Sequence, residues 1–363
     1  MRVARAVGIA AAGEAALLEV ELRPMAAGRF RVDTRYSGVS AGTELTFLKG
    51  TNPALSGGWD AELGVFRHDR AGAAYPIARL GYMEVGEVQE SGVDGVDEGA
   101  VVAMAYGHRD AYVADAGEDR WTVLPESLDP LLGVFVAHMG PICANGLLHA
   151  AAERTRGEVS SLRDGVQGRR VLVFGGGTVG LLLARMARHH GAAEVGLVDR
   201  TPQRLAAARA LGCWAIDETD GQPWHAVKQR WRSADGSRGA DVVFQCRGQA
   251  AALAEALRCL RPQGSVIDLA FYPGGAPELR LGEEFHHNGL TIRCAQIGRV
   301  PAGLAGTWDR QRLSRETIAM LEACGDEIGR HVVTDMVSFD DGPALLHDIA
   351  ARRRHVIQAV LAC

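Results

Sequence analysis

A glycine-rich turn between an apolar strand and a helix is the feature that most constrains how this chain can fold. The segment VLVFGGGTVGLLLARMARHHGAAEVGLVDR (171–200) contains G-x-G-x-x-G at Gly175, Gly177 and Gly180. The helix that follows closes on Gly191, and Asp199 ends the next strand. A glycine triplet alone is weak evidence. In register with a strand, a helix and a downstream acid, it strongly predicts a dinucleotide-binding unit.

Each glycine of this turn has its own task in binding a dinucleotide. The first permits the turn, the second lets the pyrophosphate approach the backbone, and the third packs the helix on the strand. The first helical residues, Thr178 and Val179, then offer backbone N–H groups to the phosphates. Asp199 can accept a hydrogen bond from ribose and its charge repels a 2′-phosphate, which favours NAD. Arg200 and Arg204 keep NADP open, because a guanidinium binds phosphate or stacks on adenine.

Strands and helices alternate after Gly168, which predicts an α/β fold with a parallel, doubly wound sheet. The segments that continue the alternation are TPQRLAAARALG, CWAID, ADVVFQCRG, QAAALAEALRCLRPQG and SVIDLAFY. Two later strands end near Cys246 and Ala270. Ligands of such sheets bind at the carboxyl ends of the strands, so both residues are expected beside the nicotinamide.

The chain on either side of this unit has a different pattern. Up to about Gly140, short β-branched segments are broken by glycine-rich turns, which is typical of an all-β unit. From about Arg299 a helix and terminal strands predict a return to that first unit. We therefore expect a β-rich domain at 1–147, a dinucleotide-binding domain at 148–298, and a returning segment at 299–363.

Composition limits the partners and the compartment. The formal net charge of −5 argues against a nucleic-acid binder, which normally presents a basic face. No stretch approaches the ~18 uncharged apolar residues that a membrane span needs. The seven cysteines are scattered without C-x-x-C spacing, which argues against a disulfide framework and a local zinc knuckle. A cytoplasmic protein with reduced thiols is therefore expected, without nucleic-acid or membrane partners.

The parts together resemble the medium-chain dehydrogenase/reductase superfamily. The resemblance covers essentially the whole chain and is carried by YSGVSAGTE (36–44), LGYMEVGEV (80–88), the glycine segment and EEFHHNGLTIRCAQIG (283–298). The first, second and last of these segments are most similar to the branch that contains bacteriochlorophyllide dehydrogenase. The resemblance implies a Rossmann domain with a GroES-like β-rich catalytic domain. It also implies a homodimer joined edge to edge by its nucleotide-binding sheets, with residues 290–298 as the pairing strand.

The chain departs from the zinc-dependent members of that superfamily. Those members carry Cys-x-(Ser/Thr)-Asp in the first segment and Gly-His-Glu in the second, where Cys and His bind a catalytic zinc ion. Here the first motif is Ser40-Ala41-Gly42-Thr43-Glu44, while Tyr82 and Met83 replace His and Glu. Zinc needs several converging N, S or O ligands, so no zinc is expected. A zinc site would need a different set, involving His108, His138 or Cys143.

Without a metal, hydroxyl or imidazole groups must polarise the substrate oxygen and exchange its proton. The resemblance implies four candidates. Thr43 matches the proton-relay position, and Tyr82 stands where a zinc ligand would, as a donor rather than a base at its usual pKa of about 10. His108 falls in a loop that borders the substrate cleft, and His138 lies near the segment of the third metal ligand. Glu44 is expected to be structural, holding backbone amides or an arginine.

Three functions are compatible with these features. The leading one is a zinc-independent, NAD(H)-linked oxidoreductase that interconverts a secondary alcohol and a ketone, on a specialised metabolite or an alcohol borne on a larger scaffold. The alternative is an NADPH-dependent quinone or enoyl reductase, against which Asp199 argues. The third is a nucleotide-binding module without activity, such as a redox sensor or a structural lens protein.

Overall fold

The chain passes between two structural units twice, after His138 and after Val332. The first unit consists of the residues up to His138 together with Val333–Cys363, and the second is Met139–Val332. The structure is a computed structural model, and it describes residues 2–155, 158–272 and 274–363. Within those ranges, none of the helices combines the length and apolar character that a membrane crossing requires.

The N-terminal part of the first unit is built mainly of strands. On the long strand β3, Phe30 and Val32 are fully buried and alternate with partly buried residues, as expected of a strand with one face on a core. The elements are β1 (Val3–Ala11), β2 (Glu14–Glu21), β3 (Arg29–Val39), α1 (Ala41–Leu48), β4 (Gly58–Asp60), β5 (Val65–Arg67), β6 (Glu84–Ser91), β7 (Val101–Met104), β8 (Ala111–Asp115) and β9 (Trp121–Val123).

The second unit alternates strands with helices. Its elements are α2 (Met139–Arg154), α3 (Arg163–Val166), β10 (Arg170–Phe174), α4 (Thr178–His189), β11 (Glu194–Asp199), α5 (Pro202–Ala210), β12 (Trp214–Asp217), α6 (Pro223–Arg230), β13 (Ala240–Gln245), α7 (Ala250–Cys259), β14 (Leu260–Asp268), α8 (Glu284–His287), β15 (Thr291–Cys294) and α9 (Arg310–His331). All six strands run parallel in the order β12-β11-β10-β13-β14-β15. The strand order reverses between β10 and β13, which is the crevice where such sheets bind ligands. The predicted fold class is confirmed.

The chain then returns to the first unit with β16 (Val333–Ser338), α10 (Gly342–Ala350) and β17 (Gln358–Ala362). These strands extend a seven-stranded sheet, in the order β16-β17-β3-β6-β7-β9 with β8 also paired to β3. β17 pairs in parallel with β16 and antiparallel with β3. The last strand therefore lies inside the sheet rather than at its edge.

Both predicted domain boundaries need correction. The second unit begins at Met139 rather than at 148, because α2 is one continuous helix that packs on α4 and α9. It ends at Val332 rather than at 298. Trp308 Nε1 donates to the carbonyl of Val159 at 2.8 Å, and Arg185 pairs with Glu327 on α9 at 2.8 Å. These contacts hold residues 299–332 in the second unit.

Candidate active site

The glycine turn of the second unit has the geometry of a dinucleotide-binding loop. Gly175 follows β10 at φ +98°, which a side chain would disfavour, and Gly177 directly precedes α4. A Cβ atom on Gly180 would lie 1.7 Å from the carbonyl oxygen of Gly175, so no side chain fits there. A Cβ atom on Gly177 would meet nothing within 4 Å. The turn is thus packed tightly on the helix side and open where a pyrophosphate would approach.

Asp199 ends β11 with a buried side chain that is held by backbone amides. Its Oδ2 atom accepts the N–H of Gly176 at 2.7 Å, and Oδ1 accepts those of Arg200 and Thr201, both at 2.8 Å. Burial opposes the charge, but these amides and two nearby guanidiniums outweigh it, so the pKa of Asp199 is lowered. A carboxylate offers about four acceptor positions, which leaves one for a ribose hydroxyl.

The guanidiniums of Arg204 and Arg247 lie near this carboxylate, and an acid outside the fingerprint, Glu218, engages Arg247 and the neighbouring Arg200. Arg247 Nη1 donates to both oxygens of Glu218, at 2.9 and 2.8 Å, while its Nη2 lies 3.8 Å from Asp199. Arg200 Nε lies 3.5 Å from Glu218, and Arg204 Nη1 lies 3.8 Å from Asp199. Neither Arg247 nor Glu218 was predicted from the sequence as a cofactor-site residue. Their only signal was position, since each follows the end of a strand.

The other predicted cofactor positions lie at the carboxyl ends of the strands, as their sequence context requires. Thr178 and Val179 form the first turn of α4. Cys246 follows β13, its N–H donates to the carbonyl of Phe174 at 3.0 Å, and burial raises the pKa of its thiol. The N–H of Ala270 donates to the carboxylate of Asp268 at 2.9 Å. Contact with a cofactor stays a prediction for all four positions.

Three hydroxyl groups meet in the first unit, at the start of α1. The Tyr82 hydroxyl is hydrogen-bonded to Ser40 Oγ, and it also donates to Thr43 Oγ1 at 3.5 Å. Ser40 is buried, and the other two side chains are partly buried. The structure therefore hydrogen-bonds two predicted residues, Thr43 and Tyr82, and it packs a third, His138, on the tyrosine ring. Ser40, which the sequence suggested only as a replaced zinc ligand, completes the group, named here the hydroxyl cluster.

The surroundings of Tyr82 keep its proton in place. Burial, followed by the negative charge of Glu44, raises the pKa of Tyr82 to about 12, although the hydroxyls of Ser40 and Thr43 act in the opposite direction. The ring of His138 lies against the tyrosine, with the ring centroids 4.3 Å apart and an angle of 44° between the ring planes. At neutral pH the phenol is therefore a proton donor and not a base.

The structure places His108 apart from the hydroxyl cluster, which corrects its predicted role in proton exchange. The side chain is completely buried, its Nε2 lies 3.1 Å from Glu44 Oε2, and its Nδ1 lies 2.7 Å from Ser37 Oγ. Burial works against the imidazolium, but the charges of Glu44 and Glu84 outweigh it, so the pKa of His108 is raised. With both ring nitrogens engaged and no exposed surface, His108 cannot touch a substrate.

Two buried carboxylates complete the network around His108. Glu44 Oε1 accepts the N–H of Ser40 at 2.9 Å, in the structural role expected of it. Glu84 accepts the N–H groups of Tyr106 and Gly107 at 2.9 and 3.1 Å, and burial raises its pKa. These contacts link the start of α1, the start of β6 and the loop after β7. The network positions the hydroxyl cluster.

The residues at the zinc-ligand positions of the superfamily do not fit a zinc ion. Ser40, at the cysteine position, offers a hydroxyl that is hydrogen-bonded to Tyr82, and Tyr82, at the histidine position, offers a phenol that keeps its proton. The Cys143 thiol donates to the carbonyl of Val179 at 3.4 Å, and burial raises its pKa, which opposes the thiolate that zinc needs. In the described part of the chain, no three His, Cys, Asp or Glu side chains are grouped to hold a metal ion.

Known proteins resemble this chain along most of its length. The family model described as "Zinc-binding dehydrogenase" matches residues 178–309, a range that excludes the zinc-ligand segments at 36–44 and 80–88. D-guloside 3-dehydrogenase from Escherichia coli K12 is 27% identical over 91% of both chains. D-xylulose reductase from Saccharomyces cerevisiae is 33% identical over 28% of this chain and 29% of its own.

The solved structures agree on the fold. A protein described as a short chain alcohol dehydrogenase from Escherichia coli CFT073, complexed with NADH, superimposes with a TM-score of 0.74. The alignment covers 100% of both chains at 16% sequence identity. At that identity the likeness concerns the fold alone.

Proposed function

The chain belongs to the medium-chain dehydrogenase/reductase superfamily of NAD(P)-dependent oxidoreductases, and we propose that it interconverts a secondary alcohol and a ketone with NAD(H) and without a catalytic zinc ion. The observation that carries this proposal is the hydroxyl cluster of Ser40, Thr43 and Tyr82. The cluster lies in the segments where zinc-dependent members of the superfamily bind their metal. Its own residues do not fit as ligands of a zinc ion.

The hydroxyl cluster supplies what the reaction needs at the substrate oxygen. The bound nicotinamide gives or takes the hydride. In the reducing direction negative charge develops on the carbonyl oxygen, and a positioned donor of high pKa stabilises it and then gives its proton. Tyr82, with a pKa of about 12, holds that proton throughout the physiological range. Ser40 and Thr43 accept and donate hydrogen bonds, so they can return a proton to the phenolate.

NAD is the proposed cofactor, and the environment of Asp199 supports it. The lowered pKa keeps this carboxylate charged at neutral pH. A charged acid with one remaining acceptor position suits a ribose hydroxyl and repels a 2′-phosphate.

The proposed substrate is a secondary alcohol on a polyhydroxylated or larger scaffold. D-guloside 3-dehydrogenase and D-xylulose reductase carry substrate names of this kind, which supports a polyol or glycoside class. We also propose a homodimer, and a cytoplasmic location in keeping with the seven free cysteines.

Turnover assays with metal analysis test the proposal. Purified protein is assayed with NAD and NADP against glycosides, polyols and cyclic ketones, with and without a zinc chelator, while its metal content is measured. We expect NAD-linked turnover that the chelator leaves unchanged, in protein without stoichiometric zinc. Turnover that requires zinc would contradict the metal-free mechanism. NADPH-linked reduction of quinones or activated alkenes, with no alcohol oxidation, would favour the alternative function.

A further inference from the structure

Glu218 lies where a discriminating group for the cofactor is needed. It directly follows β12, whose last residue, Asp217, pairs in register with Asp199 on β11. The N–H of Glu218 donates to the carbonyl of Asp199 at 3.1 Å. The Arg247 guanidinium spans the two acids, 2.8 Å from Glu218 and 3.8 Å from Asp199. A single guanidinium thus separates Glu218 from Asp199, the acid expected to bind the ribose.

We infer that Glu218 sets the preference for NAD over NADP, by occupying guanidiniums that would otherwise bind the 2′-phosphate of NADP. This inference rests on the proposed use of NAD. Asp199 is the residue that the sequence fingerprint selects, while Glu218 lies outside that fingerprint.

Recognition of a 2′-phosphate depends on the charges near the adenine ribose site. Arginines recognise a 2′-phosphate through two parallel hydrogen bonds, which need free N–H groups. Arg247 already gives Nη1 to both oxygens of Glu218, and Arg200 lies 3.5 Å from the same carboxylate. While Glu218 is charged, it holds Nη1 of Arg247 and attracts Arg200, and Nη2 of Arg247 is buried without a hydrogen-bond partner among the described residues.

Asp199 alone cannot account for discrimination between NAD and NADP. Its side chain is 2% exposed and already accepts three backbone amides, so much of its charge is balanced within the protein. Glu218 is less buried, with 22% of its side chain exposed, and its hydrogen-bond partner is Arg247 rather than backbone amides. A phosphate that approached the ribose position would therefore meet Glu218 in competition for the same arginines.

Binding measurements on matched variants test the inference without any substrate. Dissociation constants for NAD and NADP are measured by calorimetry for the wild type, Glu218→Gln, Asp217→Asn and Glu218→Gln/Arg247→Gln. Asp217→Asn is the control, because it removes the same charge at the neighbouring position. Among the described residues, the Asp217 carboxylate accepts hydrogen bonds from Thr219 alone. The double variant shows whether any gain in NADP affinity depends on the Arg247 guanidinium that Glu218→Gln releases.

In Glu218→Gln, we expect NADP to bind more tightly. The NADP dissociation constant divided by the NAD dissociation constant should therefore fall at least tenfold. Asp217→Asn should change that ratio less than threefold, and the double variant should lose most of the gain. An unchanged ratio in Glu218→Gln, or an equal change in Asp217→Asn, would overturn the inference. Failure of the proposed reaction is a separate result, since a protein that binds NAD but oxidises no alcohol still yields this ratio.

Discussion

The Nε2 atom of His108 lies 3.1 Å from the Oε2 atom of Glu44, and both side chains are buried. The second oxygen of Glu44 accepts the N–H of Ser40, so this contact fixes the residue that directly precedes α1 and is hydrogen-bonded to Tyr82. A histidine that was expected to exchange protons with the substrate instead holds the residues for which we propose that role. It is a positioning residue.

Replacing His108 is expected to destabilise the first unit. In His108→Gln, the buried carboxyls of Glu44 and Glu84 lose their cationic neighbour, and breaking a buried pair costs about 3–5 kcal/mol. Urea denaturation gives the free energy of unfolding. His68→Gln is the control, because His68 is exposed and a surface change stays within about 0.5 kcal/mol. Equal effects of the two substitutions would contradict the buried charge network.

The stabilisation from His108 should decline as pH rises. The pKa of its imidazole is raised above the ordinary value of about 6.5, because the acids around it outweigh burial. The native state therefore binds the proton more tightly than the unfolded chain. The contribution is complete below about pH 6.5 and is lost as pH rises through the native pKa. The difference in unfolding free energy between wild type and His108→Gln, measured from pH 6 to 9, should shrink; a growing difference would refute this.

Removing the phenol of Tyr82 should slow the reaction without weakening cofactor binding. Tyr82→Phe deletes the proton donor, and a general acid contributes roughly 10²–10⁴-fold to the rate. We expect kcat to fall in that range while the NAD dissociation constant stays the same. Tyr36→Phe, on β3, removes a phenol outside the hydroxyl cluster and serves as the control. A kcat in Tyr82→Phe within threefold of wild type would rule out the proposed donor.

The second and third glycines of the turn should respond differently to alanine. In Gly180→Ala the new Cβ would lie 1.7 Å from a backbone oxygen, so the second unit should lose about 3 kcal/mol or more. Gly177 has an ordinary φ of −77° and open space around it, so Gly177→Ala should fold normally. Its Cβ would fill the space left for the pyrophosphate, and the NAD dissociation constant should rise at least tenfold. Thermal unfolding and calorimetry together separate the two effects.

The free edge of β15 predicts the proposed dimer. β15 pairs with β14 on one side, and no strand among the described residues pairs with its other side. Light scattering at micromolar concentration should give twice the chain mass of 38.7 kDa. Cys294→Lys places a charge on this exposed edge and should shift the mass toward the monomer. Gln203→Lys, on the surface of α5, should leave it unchanged. A monomeric wild type would refute this arrangement.

The features that sequence predicted well are local ones. The turn at Gly175–Gly180 and the strand ending at Asp199 are determined by residues close in sequence, so the sequence pattern predicts them. α9 was assigned to the wrong unit because an amphipathic pattern shows which face is buried but not which partner covers it. The engagement of His108 with Glu44, and of Arg247 with Glu218, joins positions far apart in sequence. Neither the spacing nor the composition of the chain marks such pairs.

The position of β17 has a consequence for how the protein is made. β17 lies between β16 and β3, and all of Met139–Val332 is synthesised before it. The second unit is contiguous, so it can fold on the ribosome while β3 still lacks its neighbour. The edge of β3 that pairs with β17 therefore stays unpaired until β17 emerges, some three hundred residues later. During that interval, chaperones have a specific unpaired edge to protect.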